Sequence, residues 1–306
     1  MTDRVSQTAE VMALFRALET LESPRNRLFA DPYATRFLRP AGRLLLLLAR
    51  LQPIRRRILR IIDRKWPGAR TSAVARTRLV DDLLRHALKN GARQVLILGA
   101  GFDTRAYRIP EIATARVFEV DHPLTQAAKI RVISRAGAQR ATVTHVPVDF
   151  TRQTLDAALR GSDFDVDARS FVLWEGVTNY LTEAAVDATL RAIFASVAPG
   201  SELFLTYVHH GLLDGSRRFD GGAEILERVR EVGEPWTCGF EPREMPAYLV
   251  ARSFALLEDL SADEYRSRYF GGAAGSMKGY SFYRAVLARR SGPERSNLTA
   301  RRGTLT

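Results

Sequence analysis

Small and acidic residues recur at one kind of place along this chain, directly after short apolar runs. Gly99 and Gly101 close QVLIL, Asp121 closes ARVFEV, Asp149 closes ATVTHVPV and Glu175 closes SFVLW. Two glycines let a backbone turn sharply and approach a ligand that a Cβ would hold off. An aspartate about twenty residues after such a turn can accept hydrogen bonds from both hydroxyls of a ribose. Asp103 lies inside the same loop. GAGFDT is not the full dinucleotide pattern, because Thr104 stands where the third glycine belongs. Alone, the paired glycines suit a structural turn as well as a ligand. With Asp121 added they point to a nucleoside, and NAD and S-adenosylmethionine both stay open at this step.

The elements that must position these residues follow from the apolar runs. QVLIL (94 to 98), ARVFEV (115 to 120), ATVTHVPV (141 to 148), SFVLW (170 to 174) and ELFLTYV (202 to 208) read as buried strands. Helical segments separate them. One is expected from about Phe102, one with Pro123 in its first turn, one around 151 to 160, and one opening at Thr182 and stopping near Pro199 and Gly200. This alternation predicts an α/β fold, a doubly wound and mostly parallel sheet of Rossmann-like type with right-handed crossovers. Ligands of such sheets bind beyond the carboxyl ends of the strands, where every residue named above falls. Residues 1–90 read as a helical lid, 91–289 as the ligand-binding α/β domain and 290–306 as a disordered basic tail.

Composition narrows the function. The 306 residues are 46% hydrophobic, enough for a sizeable core. Cys238 is the single cysteine, which excludes a disulfide framework and a cysteine metal site, and no histidine spacing suggests a metal. The first residues lack the features of a secretory signal, and no apolar run approaches the roughly 18 residues of a membrane span. A cytoplasmic location is expected. The net charge of +12 is concentrated rather than spread. Residues 36–65 carry ten Arg or Lys against Asp63, and the tail from Arg289 carries five arginines against Glu294. Those two excesses account for the whole net charge, unlike a basic groove for nucleic acid. Within the first segment, LLLLLARLQPIRRRILRII is broken by Pro53. It reads as a lid whose leucines pack inward, or as an amphipathic helix for a membrane surface.

The motifs also carry a resemblance. QVLILGAGFDTRAYRI, VFEVDHP and FVLWEGVTNYLTEAAV resemble the leucine carboxyl methyltransferase family, class I S-adenosylmethionine enzymes. AVARTRLVDD is similar to that family's arginine-containing helix, and LFADPYATRFL to the N-terminal signature of its bacterial branch. EPWTCGFEPREMPAYLVARSFALLEDL and YRSRYF resemble bacterial relatives that methylate polyketide acids. The resemblance implies S-adenosylmethionine as the cofactor and a transfer of methyl to oxygen. It implies that Arg76 pairs with the methionine carboxylate and that the Gly99–Gly101 backbone runs beneath the methionine and ribose. Asp121 would hold the ribose, Asp149 the adenine amino group with Phe150 beside it, and Glu175 the ammonium end.

A carboxylate acceptor is ionised at neutral pH and needs no base, whereas a phenol or alcohol normally does. His209 and His210, after the fifth strand, are the candidate bases, although a surface turn is the simpler place for them. Tyr180 is expected to line the acceptor pocket or to pack beneath the next helix. Trp174, Trp236 and Phe240 are expected as core or pocket wall. The acceptor expected is a small apolar or aromatic acid of polyketide type, with homodimerisation left open and no specific nucleic acid. Three alternatives stand beside it: a protein carboxyl methyltransferase, a nucleic-acid methyltransferase, and a cofactor-binding protein without methyl transfer.

Overall fold

Seven strands form one sheet, because the apolar runs are long enough to span a buried layer and too short to be helices. The computed structural model describes residues 7–137, 141–149 and 153–292. Four helices come first: α1 (Gln7–Thr20), α2 (Pro40–Leu48), α3 (Gln52–Lys65) and α4 (Ala69–Lys89). The sheet region follows as β1 (Gln94–Leu98), α5 (Arg105–Arg108), β2 (Arg116–Asp121), α6 (Pro123–Arg135), β3 (Thr142–Pro147), α7 (Leu155–Arg160), β4 (Ser170–Trp174), α8 (Glu183–Ser196) and β5 (Glu202–Val208). The chain ends in α9 (His210–Leu213), α10 (Gly222–Glu231), α11 (Met245–Val250), β6 (Phe254–Ser261), α12 (Ala262–Phe270) and β7 (Tyr283–Arg290).

The strand order is β3-β2-β1-β4-β5-β7-β6. The first five are parallel, and β7 runs antiparallel between β5 and β6. The order reverses direction between β1 and β4, the switch point where such sheets open a crevice. β1, β4 and β5 are buried along their whole length, as central parallel strands should be. Two cores flank them. On one face Phe15, Leu18, Leu79, Val80 and Leu84 join Val95, Ile97 and Leu173, so the N-terminal helices share a core with the sheet. On the other, Leu190 and Ile193 of α8 pack with Leu96, Phe118 and Val172.

Helix boundaries follow local chemistry. The Thr182 side chain accepts the Ala185 amide at 3.2 Å and caps α8. Pro123 opens α6, and Pro53 stands in the first turn of α3, so it starts a new helix instead of kinking one. One crossover differs from its sequence expectation. No long helix follows Phe102; α5 is four residues, succeeded by a 3-10 turn over Pro110–Thr114. Pro110 has no amide to donate, which stops the helix. The expected tail lies largely outside the described residues.

One ion pair is wholly inside this frame. Lys129 of α6 meets Glu119 of β2 at 2.8 Å, each side chain 1% exposed. Burial pushes the Glu119 carboxyl up, and Lys129 opposes that shift. Removing one partner of a buried pair typically costs about 3–5 kcal/mol. Lys129→Met is therefore expected to lower unfolding free energy in urea by about that much. The double variant Glu119→Leu with Lys129→Met should regain most of it. A single-variant loss under about 1 kcal/mol would show that the pair is not held dry.

Candidate functional site

At the switch point the strand ends surround a cavity of about 760 Å³. Much of its polar lining comes from the loop after β1, the end of β2, the residue after β4, and α4, with further charged residues from α1 and α10. The β1 loop starts with Gly99 at φ +64°, where its amide and that of Ala100 both donate to the Val120 carbonyl. A Cβ at Gly99 would stand 2.5 Å from the Val177 methyl, so both the backbone angle and the space demand glycine. Gly101 also has positive φ, +43°, but a Cβ there would meet nothing closer than 3.8 Å. That glycine keeps open a space into which a ligand can press.

Asp121 closes β2 and turns back over this loop. Its carboxylate accepts the Gly101 amide and, at 2.6 Å, the His122 amide. Burial pushes its carboxyl up and the two amides counter that. Glu175, directly after β4, accepts Arg76 Nε at 2.6 Å and Arg105 Nη1 at 3.1 Å. Arg105 continues to Asp81 at 2.9 Å and to Asp103, and Arg108 closes on both oxygens of Asp81 at 2.6 Å. The Arg76 guanidinium also lies 4.6 Å from the Tyr283 ring centre. These groups are nearly dry: the side chains of Arg105 and Asp81 are 5% and 0% exposed.

Such pairing sets the charges. Burial alone would raise the Asp103 carboxyl, but the Arg105 guanidinium beside it, followed by Lys129, holds it at about 2. Burial likewise opposes ionisation of Glu175, and Arg105 and Arg76 override it, so Glu175 stays below the usual range. The remaining lining is predominantly apolar and includes Val11, Leu14, Trp66, Ile225, Val229, Trp236 and Tyr280. Thr8 and Glu234, both on the lining, are joined at 2.6 Å and tie the start of α1 to the segment after α10.

Arg76, Gly99, Gly101, Asp103, Asp121, Glu175 and Tyr180 are thus brought to one cavity. His209 and His210 are not. A bridge to Phe240 turns the chain after β5, burying His209, whose Nδ1 accepts the Gly211 amide at 3.0 Å. Burial lowers its pKa. His210 is exposed and 3.5 Å from Asp214. Neither is among the cavity's lining residues, so the role of base expected for them has no geometric support. Asp149 is half-buried after β3 and is likewise not in the lining; Phe150 lies outside the described residues. Arg105 and Asp81 were missed by spacing arguments, although both stand inside quoted motifs, GAGFDTR and AVARTRLVDD.

Residues 9–194 match the profile of the leucine carboxyl methyltransferase family. The chain belongs to that family. A candidate S-adenosyl-L-methionine-dependent methyltransferase of Frankia alni is 37% identical over 219 residues, 71% of this chain and 72% of that one. One from Mycobacterium tuberculosis is 32% identical over 242 residues, covering 78% and 73%. Among solved structures, a DUF574-family protein of Streptomyces avermitilis gives a TM-score of 0.60 at 12% identity, covering 90% of this chain and 97% of that one. A candidate methyltransferase from Thermobifida fusca gives 0.55 at 19%, covering 91% and 94%, and these two likenesses concern the fold. The protein is an S-adenosylmethionine-dependent methyltransferase of class I fold.

The cavity fits that cofactor on its own terms. Its volume lies in the upper half of the roughly 300–1,000 Å³ usual for small-molecule sites. Its donors and acceptors alternate in charge, as a ligand with both a carboxylate and an ammonium requires. A pH consequence follows from Asp103. Its carboxyl is lower in the folded chain than its ordinary 3.8, so its stabilisation is full above that value and lost as pH falls through about 2. Urea midpoints taken from pH about 5 down to about 2 should therefore fall more steeply for the wild type than for Asp103→Asn. Parallel curves would mean that Asp103 is not held by Arg105.

Proposed function

We propose that the enzyme transfers methyl to an oxygen, most favourably the carboxylate, of an apolar or aromatic acid of polyketide type. The observation that carries this is the cavity wall beyond the charged loop. It is mainly leucine, valine and aromatic, interrupted by charged side chains such as Arg39, Arg228 and Glu234, and His122, beside Asp121, is the one histidine among its described residues. An acceptor already ionised at neutral pH needs only placement and an apolar enclosure.

In this assignment Arg76 binds the methionine carboxylate and Glu175 and Asp103 face the ammonium. Asp121 takes the ribose hydroxyls, Gly101 admits the ligand to the backbone, and Asp149 with Phe150 holds the adenine. S-adenosylmethionine supplies an electrophilic methyl on a cationic sulfur when bound. Burial pushes the Tyr180 phenol up, so Tyr180 stays protonated and acts as a hydrogen-bond donor to the acceptor oxygen rather than as a base. The apolar lining excludes water that would solvate the attacking carboxylate.

Calorimetric titration should show S-adenosylmethionine binding and no NAD binding, with Asp121→Ala weakening it at least about tenfold through two lost charge-assisted bonds. Wild-type protein that fails to bind the donor would overturn these cofactor contacts. Incubation with aromatic acids should then yield methylated products that mild alkali hydrolyses, the behaviour of esters. An alkali-stable product would move the acceptor to a hydroxyl, and no product from any acid would leave the acceptor class wrong. Tyr180→Phe is expected to lower kcat about tenfold or more while leaving donor affinity unchanged. A loss of donor affinity instead would place Tyr180 against the cofactor.

A further inference from the structure

Of the two readings the leucine run offered, an inward-packing lid and an outward amphipathic face, the exposures favour the second for most of its leucines. α2 faces the protein with Leu46, and Ala49 follows inward at its C-terminus; they are 6% and 0% exposed. Leu44, Leu47 and Leu48, followed by Leu51, turn outward at 59%, 55%, 47% and 61% exposure. Leu44, Leu47 and Leu48, three and four positions apart on α2, share one face, a stripe that Leu51 extends at the turn into α3. Together with Ile61 of α3 they are five of the ten large apolar side chains exposed among the described residues. Contiguous apolar surface of this kind marks a contact site on a soluble chain.

What surrounds the stripe selects the occupant. Arg43 and Arg50 flank it, and α3 exposes Arg56, Arg57, Arg60, Arg64 and Lys65 beside it. The one acid of the segment, Asp63, is neutralised by Arg70 at 2.7 Å. A second copy of this chain would bring the same arginines against each other across a two-fold interface. Leucines flanked by guanidiniums instead match a bilayer carrying anionic headgroups, with leucines among the acyl chains and arginines at the phosphates.

We infer that the outer face of α2 and α3 docks the enzyme on anionic membrane surfaces. Among the described residues no helix is long and apolar enough to cross a membrane, so the contact is peripheral. The same region borders the cavity, where Leu38, Arg39 and Gly42 contribute to the lining. An apolar acceptor dissolved in the bilayer would then reach the cavity along α2. That last step rests on the acceptor class proposed above; the docking itself does not.

The test is sedimentation of the full-length protein with vesicles of phosphatidylcholine and phosphatidylglycerol at roughly 7:3, and of phosphatidylcholine alone, in about 0.1 M salt. The wild type should partition to the mixed vesicles at least about tenfold more strongly than to the neutral ones. The variant Leu44→Gln, Leu47→Gln, Leu48→Gln, Leu51→Gln should bind the mixed vesicles at least about tenfold more weakly than wild type. Calorimetry with S-adenosylmethionine, unchanged in the variant, shows that its fold and cofactor site are intact and separates this result from failure of the proposed chemistry. Wild-type protein left in the supernatant overturns the inference. So does a variant that binds as tightly as wild type, since the basic side chains would then attract any polyanion without insertion. A wild-type dimer in light scattering that the variant converts to monomer would assign the stripe to a second copy and overturn it equally.

Discussion

Glu175 holds two guanidiniums at once, and the geometry of the cavity depends on that arrangement. Arg76 reaches it from α4, Arg105 from the loop after β1, and Arg105 is held in turn by Asp81 of α4. Taking charges out of water is costly, and a partner removed leaves the other side uncompensated by several kcal/mol. The loop from Gly99 to Arg105 is therefore tied to α4 and to the end of β4 through these charges. This explains why α4, buried over most of its length, carries Arg76 and Asp81 on faces where leucine would be the ordinary choice. It also explains the short α5: its residues Arg105 and Arg108 are committed to Asp81, and Pro110 ends the helix once both are placed.

Much of the frame was legible because central parallel strands are buried on both faces. QVLIL, SFVLW and ELFLTYV have no polar alternation to misread, and their ends coincide with β1, β4 and β5. Gly99 was legible for a related reason, since a strand that ends in a tight turn leaves few residues able to follow it. The ion-pair network was not. Arg105 and Asp81 are 24 residues apart with no periodic relation, and only the crossing of α4 over the β1 loop brings them together. His209 shows the converse. Its place after β5 suggested the crevice, but the bridge to Phe240, more than 30 residues later, turns it into packing beside Phe219.

Sequence alone left the leucine run's orientation open between an inward-packing lid and an outward amphipathic face, for a physical reason. Hydropathy reports how apolar a segment is and carries nothing about which face meets the core. Leu45 and Leu46 of α2, with Ala49 just after it, pack toward the core, while Leu44, Leu47 and Leu48 lie on the helix's outer side. Pro53 adds to this by ending the continuity of the helix, so that α2 and α3 are short, separate segments.

The cavity draws on the whole length of the chain, and its ion-paired network and its apolar wall differ in how freely they can vary. Arg76, Gly99, Gly101, Asp103, Asp121 and Glu175 all fall within residues 9–194, the span shared with the family. Ile225, Val229, Trp236, Tyr280 and Tyr283 line the same cavity from beyond that span. The charged part has little freedom to vary, because each substitution would strand a buried partner. The apolar part has more, since hydrophobic residues of similar volume exchange at small cost. The ion-paired network can therefore stay fixed while the apolar wall changes shape. Membership of the family accordingly specifies the methyl donor and leaves the acceptor open.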